Sequence, residues 1–214
     1  MAAPRYIAVE GVIGVGKTSL VAELARRLRA RTVYEEFENN PFLPEFYKDA
    51  AANAFKTQIF FLMSRFRQQA ALAQGDLFHE ATVADYAFLK DRIFAVLTLK
   101  DHELELYDRL YDVLAQKIPT PDVIIHLVAD LDAILGRIKA RGRSYEQSIE
   151  REYLADLKGA YADFFRGYRG CPVIHVDTTK IDLRYDMKAV DRIVSAIERG
   201  EDLPGEALPL FAKR

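Results

Sequence analysis

Gly11-Val12-Ile13-Gly14-Val15-Gly16-Lys17-Thr18 has the spacing G-x-x-x-x-G-K-[ST]. It follows an apolar run, Tyr6–Val9, that reads as a strand. It opens an amphipathic helix with Leu20, Val21, Leu24 and Leu28 on one face. Strand, glycine turn and helix in that order make a phosphate cradle, a P-loop. The glycines let backbone N–H groups point at phosphate oxygens, and the helix N-terminus adds a favourable dipole. The cradle residues are Gly11, Val12, Gly14, Val15, Gly16, Lys17, Thr18 and Ser19. Lys17 is expected on the β- and γ-phosphates and the Thr18 hydroxyl on Mg2+, with ATP as the nucleotide.

Outward from the cradle, short β-branched runs alternate with longer helical stretches, the pattern of an α/β protein with a five-stranded parallel sheet flanked by helices. The expected strands are Arg5–Val9, Thr32–Glu35, Ala81–Ala84, Asp122–Leu127 and Val173–Val176. The expected helices are Lys17–Arg31, Asn53–Gln74, Lys90–Leu99, His102–Lys117, Leu131–Arg141, Ile149–Tyr168 and Asp186–Glu198. No repeat or linker divides the chain, so residues 1–199 read as one P-loop domain. Residues 200–214, with Pro204, Gly205 and Pro209, read as a loose tail.

Composition narrows the function. Thirty Lys and Arg against 32 Asp and Glu leave a net charge of −2, which gives no general attraction for nucleic acid. No apolar run reaches the ~18–20 residues of a membrane helix, and no signal-peptide pattern opens the chain. Cys171 is the only cysteine, so no internal disulfide forms and cytoplasm is the expected compartment. A signalling GTPase would carry N-K-x-D, and the chain has no Asn-Lys pair.

The ends of the other strands carry acid. Glu35 ends the second, where a carboxylate can accept a proton from an attacking hydroxyl. Asp85 ends the third, at the acidic position that supports Mg2+ in P-loop proteins. On the helix between them, Gln58 and Arg65 are seven positions apart and share a face with Phe61, an arrangement able to read a nucleobase edge. Arg137, Arg141 and Arg143 precede Glu146 and suit an arginine-rich lid over transferring phosphate.

These residues resemble the deoxynucleoside kinase family. The resemblance rests on Val9-Glu-Gly leading into the P-loop, Glu35 ahead of Asn40-Pro41, Phe55-Lys-Thr-Gln58, Ser64-Arg-Phe-Arg67, Asp91-Arg-Ile-Phe-Ala95 and Arg137-Ile-Lys-Ala-Arg-Gly-Arg-Ser-Tyr-Glu-Gln147. It implies transfer of the γ-phosphoryl group of ATP to a deoxynucleoside 5′-hydroxyl, with Glu35 taking the proton. It further implies Gln58, Arg65 and Asp91 on the base, Tyr47 and Glu146 on the 3′-hydroxyl, and the lid arginines on phosphate. The loop Asp177–Leu183, with Asp177 and Lys180, is implied to hold the adenine of ATP, and the molecule is implied to be a homodimer formed through helices. Arg65 with Asp91 favours a purine deoxynucleoside or deoxycytidine.

The chain departs from this pattern at Asp85-Tyr-Ala87, where the family usually has Glu-Arg-Ser or Asp-Arg-Ser. Tyr86 cannot supply the missing cation, which leaves three readings: Arg92 or a lid arginine substitutes, the substrate differs, or activity is weak. Two other readings stay open on sequence grounds. A nucleoside monophosphate kinase would need cations near Glu35, yet Glu35–Asn40 carries three glutamates and no base. A nucleotide-binding regulatory protein without efficient transfer would fit the loss of arginine at Tyr86.

Overall fold

A computed structural model describes residues 5–74, 79–143, 146 and 149–199. The expected tail at 200–214 and the lid positions Ser144, Tyr145 and Gln147 lie outside the described residues.

The elements run β1 (Tyr6–Glu10), α1 (Lys17–Leu28), β2 (Arg31–Val33), α2 (Leu43–Phe46), α3 (Ala50–Ala70), β3 (Thr82–Ala84), α4 (Lys90–Thr98), α5 (Asp101–Ala115), β4 (Val123–Val128), α6 (Leu131–Arg141), α7 (Arg151–Gly167), β5 (Val173–Asp177) and α8 (Met187–Arg199). Every residue of β1 and β4 is buried. Their near-continuous apolar sequence, without alternation, is that of strands covered on both faces. All five strands are parallel, in the order β2-β3-β1-β4-β5. Ile7 sits opposite Val83 on one side and Val123 on the other. Leu20, Val21 and Leu24 of α1, wholly buried, close over this core, each burial worth roughly 1.5–3 kcal/mol. A second apolar cluster, with Leu43, Phe46, Leu62, Phe88 and Tyr107, joins α2, α3, α4 and α5.

Because the strands run one way, their carboxyl ends share an edge, where open α/β sheets bind ligands. β1 delivers the P-loop there, β3 delivers Asp85, and the chain leaving β2 delivers Glu35. β3 lies between β1 and β2, so these three groups converge despite their separation in sequence.

Some boundaries differ from the sequence reading for local reasons. α1 stops at Leu28 because Arg29 turns left-handed, with φ 51°, and Ala30 donates back to the Ala25 carbonyl at 2.9 Å. β2 therefore starts at Arg31 and ends before Glu35, which occupies a loop. α3 starts three residues early because the Asp49 carboxylate caps it, accepting from Ala52 N–H at 3.1 Å. α2 was not expected: four residues are too few to show a period, although Pro44 in its first turn is a start signal. No described helix is long and apolar enough to cross a membrane.

Candidate active site

The P-loop turn is built on left-handed glycines. Gly11 has φ 140°, Gly14 82° and Gly16 111°, and Gly16 hands the chain directly into α1. At Gly11 the restriction is steric as well, since a Cβ there would fall on the Leu127 carbonyl oxygen and 3.0 Å from Val15 Cγ1. The Lys17 ammonium donates to the carbonyls of Gly11 at 2.8 Å and Val12 at 3.0 Å. Removal from water, then the Lys90 charge, lower its pKa to about 8.

Two cavities meet at this loop. The larger, about 570 Å³, is walled by Gly14–Ser19, by Arg137, Arg141 and Arg143, and by the loop after β5 through Thr179, Ile181 and Arg184. Gly11 and Val12 contribute carbonyls to Lys17 rather than wall. Asp177 and Lys180 are off the wall; the Asp177 carboxylate accepts from Thr179 N–H at 2.8 Å and so shapes the loop that does line it. The smaller, about 120 Å³, opens between α3, α4 and the P-loop. It is lined by Lys17, Thr18, Glu35, Tyr47, Gln58, Phe61, Arg65, Asp85, Lys90, Arg141, Arg143 and Glu146, among others. Glu35 and Lys17 thus face one space, as phosphoryl transfer between a nucleotide and a hydroxyl requires.

Glu35 is held by cations from two helices. Arg65 of α3 donates through Nε and Nη2 to Oε1, and Lys90 of α4 donates to Oε2 at 2.5 Å. Its backbone N–H donates to Asp85 Oδ1 at 2.8 Å, tying the loop to the end of β3. Burial alone would raise the Glu35 pKa, but the charges of Arg65 and Lys90 outweigh it and hold the carboxyl far below the usual carboxylate range. Asp91 has no atom on the cavity wall. It stands fully buried behind Arg65, accepting from Nη1 at 2.6 Å, and burial pushes its carboxyl up to about 6 against that pairing. Arg65 also lies over the Phe61 ring, 4.6 Å from its centroid.

Gln58 has a fixed orientation. The Thr98 hydroxyl gives its one proton to the Phe94 carbonyl at 2.8 Å, so it can only accept from Gln58 Nε2, at 3.0 Å. Gln58 Oε1 is left buried with no hydrogen-bond partner among the described residues.

The lid arginines differ in what they touch. Arg141 makes a bidentate pair with Glu146, at 2.6–3.0 Å. Arg143 lies over the Phe37 ring at 4.8 Å and 3.5 Å from Glu146. Arg137 instead donates to the carbonyls of Val15, Thr178 and Ile181 and to the Thr178 hydroxyl, bracing the P-loop against the loop after β5.

Two residues of this site had no role in the sequence reading. Glu10, fully buried at the end of β1, accepts from the N–H groups of Ala87 at 2.7 Å and Gly11 at 3.3 Å and from the Tyr161 hydroxyl at 3.1 Å. Burial raises its pKa, and the bonds pin the P-loop to the turn after β3. Lys90 is the other. Of the cations expected to stand in for an arginine at Tyr86, Arg92 faces outward and pairs with Asp108, while the lid arginines Arg141 and Arg143 line the smaller cavity; the helix α4 cation that reaches Glu35 is Lys90. A signal was present: Lys90 is the first residue of α4, where a cation opposes the helix dipole. The Tyr86 hydroxyl donates to Gln68 Oε1 at 2.8 Å.

Comparison with known proteins agrees with this geometry. The sequence pattern of the family described as deoxynucleoside kinase matches residues 7–200. A deoxyadenosine/deoxycytidine kinase of Bacillus subtilis (strain 168) is 34% identical over 199 residues, covering 89% of this chain and 90% of the relative. A deoxyguanosine kinase of the same organism is 38% identical over 157 residues, covering 73% and 76%. The structure of deoxyadenosine kinase from M. mycoides with the products dCMP and a flexible dCDP bound superposes with a TM-score of 0.79 at 26% identity, covering 91% of this chain and 99% of that one.

Proposed function

As the chain belongs to the deoxynucleoside kinase family, we propose that it transfers the γ-phosphoryl group of ATP to the 5′-hydroxyl of a purine deoxynucleoside or deoxycytidine. The observation that carries this reading is the shared cavity of Lys17 and Glu35, one at the phosphate cradle and one at the acceptor end. The triphosphate lies along the P-loop, with Arg141 and Arg143 closing from the lid and Arg137 keeping the loop in place. The adenine of the donor lies toward Thr179–Arg184. The nucleoside lies against α3, with Tyr47 and Glu146 at the sugar.

Thr18 and Asp85 fit a magnesium ion. Both line the smaller cavity, both offer hard oxygen donors, and no described group hydrogen-bonds the Thr18 hydroxyl. Bound there, Mg2+ would neutralise charge on the transferring phosphates.

Glu35 takes the hydroxyl proton while the acceptor oxygen attacks in line. The chain's contribution is positioning and fixed charge. Arg65, locked by Asp91, orients the Glu35 carboxylate and presents an edge to the base. Gln58 Oε1 asks for a donor, which the exocyclic amine of adenine, cytosine or guanine supplies. The base is buried against Phe61 on the α3 face.

A homodimer is supported by Leu106, Leu110 and Val113, exposed at one-turn spacing on α5. Residues 1–199 as one domain and a cytoplasmic location complete the reading.

The test measures ADP release with MgATP across the four deoxynucleosides and their ribonucleoside counterparts, using the chain and Glu35→Gln. The expected result is turnover on deoxyadenosine, deoxyguanosine or deoxycytidine, and a loss of about 10²–10⁴-fold in Glu35→Gln. A preference for thymidine refutes the base assignment, and full turnover by Glu35→Gln refutes the proton acceptor.

A further inference from the structure

Glu35 Oε1 accepts both Arg65 bonds and Oε2 accepts one from Lys90, so a hydroxyl giving its proton to this carboxylate comes to the second lone pair of Oε2, beside the Lys90 ammonium. Arg65 is anchored on three sides, by Asp91, by Glu35 and by the Phe61 ring, with 3% of its side chain exposed. Lys90 is a single ammonium on a flexible stem, and among the described residues Glu35 is its only hydrogen-bond partner. It is also buried, 6% exposed, on the wall of the cavity that holds Glu35, Lys17 and Asp85. A lysine at the first position of a helix that lacks a side-chain cap is unfavourable for the helix itself. Its placement there serves the cavity.

Resting on the reading of Glu35 as proton acceptor, we propose that Lys90 is a catalytic residue of the transfer. Its ammonium lies beside Glu35 Oε2 and reaches the acceptor oxygen and the phosphoryl oxygens as the hydroxyl enters. The hydroxyl proton then passes to Glu35 Oε2. The bond from the acceptor oxygen to the γ-phosphorus forms as that from the γ-phosphorus to the β,γ-bridging oxygen breaks, and ADP departs with the electron pair. Lys90 counters charge on the group in flight. Lys17 serves the nucleotide side and Lys90 the acceptor side. The groups facing Glu35 are therefore Lys17 from α1, Arg65 from α3, Lys90 from α4 and Asp85 from the turn after β3.

Tyr86 makes a reciprocal test available. Its ring is buried beside this site and its hydroxyl is turned onto Gln68, so β3 contributes no cation here. An arginine introduced at 86 extends from the neighbouring strand end toward the same carboxylates.

The experiment compares Lys90→Met, Lys90→Arg, Lys90→Met with Tyr86→Arg, and Glu35→Gln, each checked for thermal unfolding and for binding of an ATP analogue. Lys90→Met is expected to lower kcat about 10²–10³-fold, with the nucleoside KM within about threefold. The acid limb of its pH–rate profile shifts to higher pH, because Glu35 loses one of its two cations. A purely structural ion pair would move that limb but would not lower kcat selectively on the pH plateau where Glu35 is ionised, so the plateau kcat is the deciding readout. Lys90→Arg retains about a tenth of kcat or more, and the Tyr86→Arg double variant regains about tenfold over Lys90→Met. If Lys90→Met does not fold, Lys90→Gln carries the same expectations. A folded neutral variant with kcat within about fivefold of the parent, or one that changes only KM, overturns the inference. If Glu35→Gln is inactive in that case, the wider reading stands and only Lys90 is removed from it. If Glu35→Gln is fully active, the premise itself is lost.

Discussion

Replacing Arg65 by Met leaves two carboxylates in the interior with different fates. Glu35 keeps Lys90. Asp91 keeps nothing: Oδ1 loses Arg65, and Oδ2 has no partner among the described residues. Breaking a buried pair from one side costs about 3–5 kcal/mol, and that sets the expected loss of stability at pH 8. The loss depends on pH in a calculable direction. With Arg65 present, burial already places the Asp91 pKa at about 6, above its ordinary value of 3.8. Without Arg65 the pKa rises further, with the Lys90 charge left to oppose desolvation. A carboxyl whose folded pKa is raised binds a proton on folding, so stability falls as pH rises between its unfolded and folded pKa values. For the parent chain that fall ends near pH 6; for Arg65→Met it continues to higher pH. The gap between the two chains therefore widens above pH 6, by at most ~1.4 kcal/mol per pH unit. In the parent chain Glu35 adds nothing to this window, because its depressed pKa keeps it ionised throughout; in Arg65→Met its pKa rises, with Lys90 still lowering it. Urea unfolding at pH 6, 7 and 8 measures the effect, and Arg65→Met with Asp91→Asn, in which Asp91 no longer titrates, should show a smaller widening of the gap. A destabilisation by Arg65→Met that is equal at pH 6 and pH 8, or unchanged by Asp91→Asn, refutes the reasoning.

Gly11→Ala places a methyl on the Leu127 carbonyl at a φ of 140° that alanine does not tolerate; thermal unfolding should drop by several degrees and ATP-analogue binding should fall at least tenfold, and normal binding would show that the turn relaxes freely. Leu110→Asp puts a charge in the exposed α5 stripe; sedimentation should give a monomer with an intact fold, and an unchanged assembly would place the subunit contact elsewhere. Glu35→Gln and Lys90→Met carry the catalytic expectations already set out.

The P-loop and its placement after a strand were legible because they are local. Glycine spacing, a following amphipathic face and the residues at strand ends need no distant partner to be read. The site's parts were likewise visible as residue types, with Gln58, Phe61 and Arg65 grouped by helical period. Their pairings were not. The contacts of Glu35 with Arg65 and Lys90 span 30 and 55 positions, and whether Lys90 or Arg92 turned inward depended on the azimuth of α4 against α3 and α7.

Sequence by itself determined a parallel α/β sheet with a phosphate-binding turn after its first strand, an acid beyond its second and an arginine-rich segment before Glu146, since each follows from short-range geometry and patterning. Only the tertiary structure decided that Asp91 stands behind Arg65, that Arg137 braces backbone and that Lys90 covers Glu35. Charges buried together take their partners from whichever helices the core brings side by side, and that choice belongs to packing across the whole sheet edge.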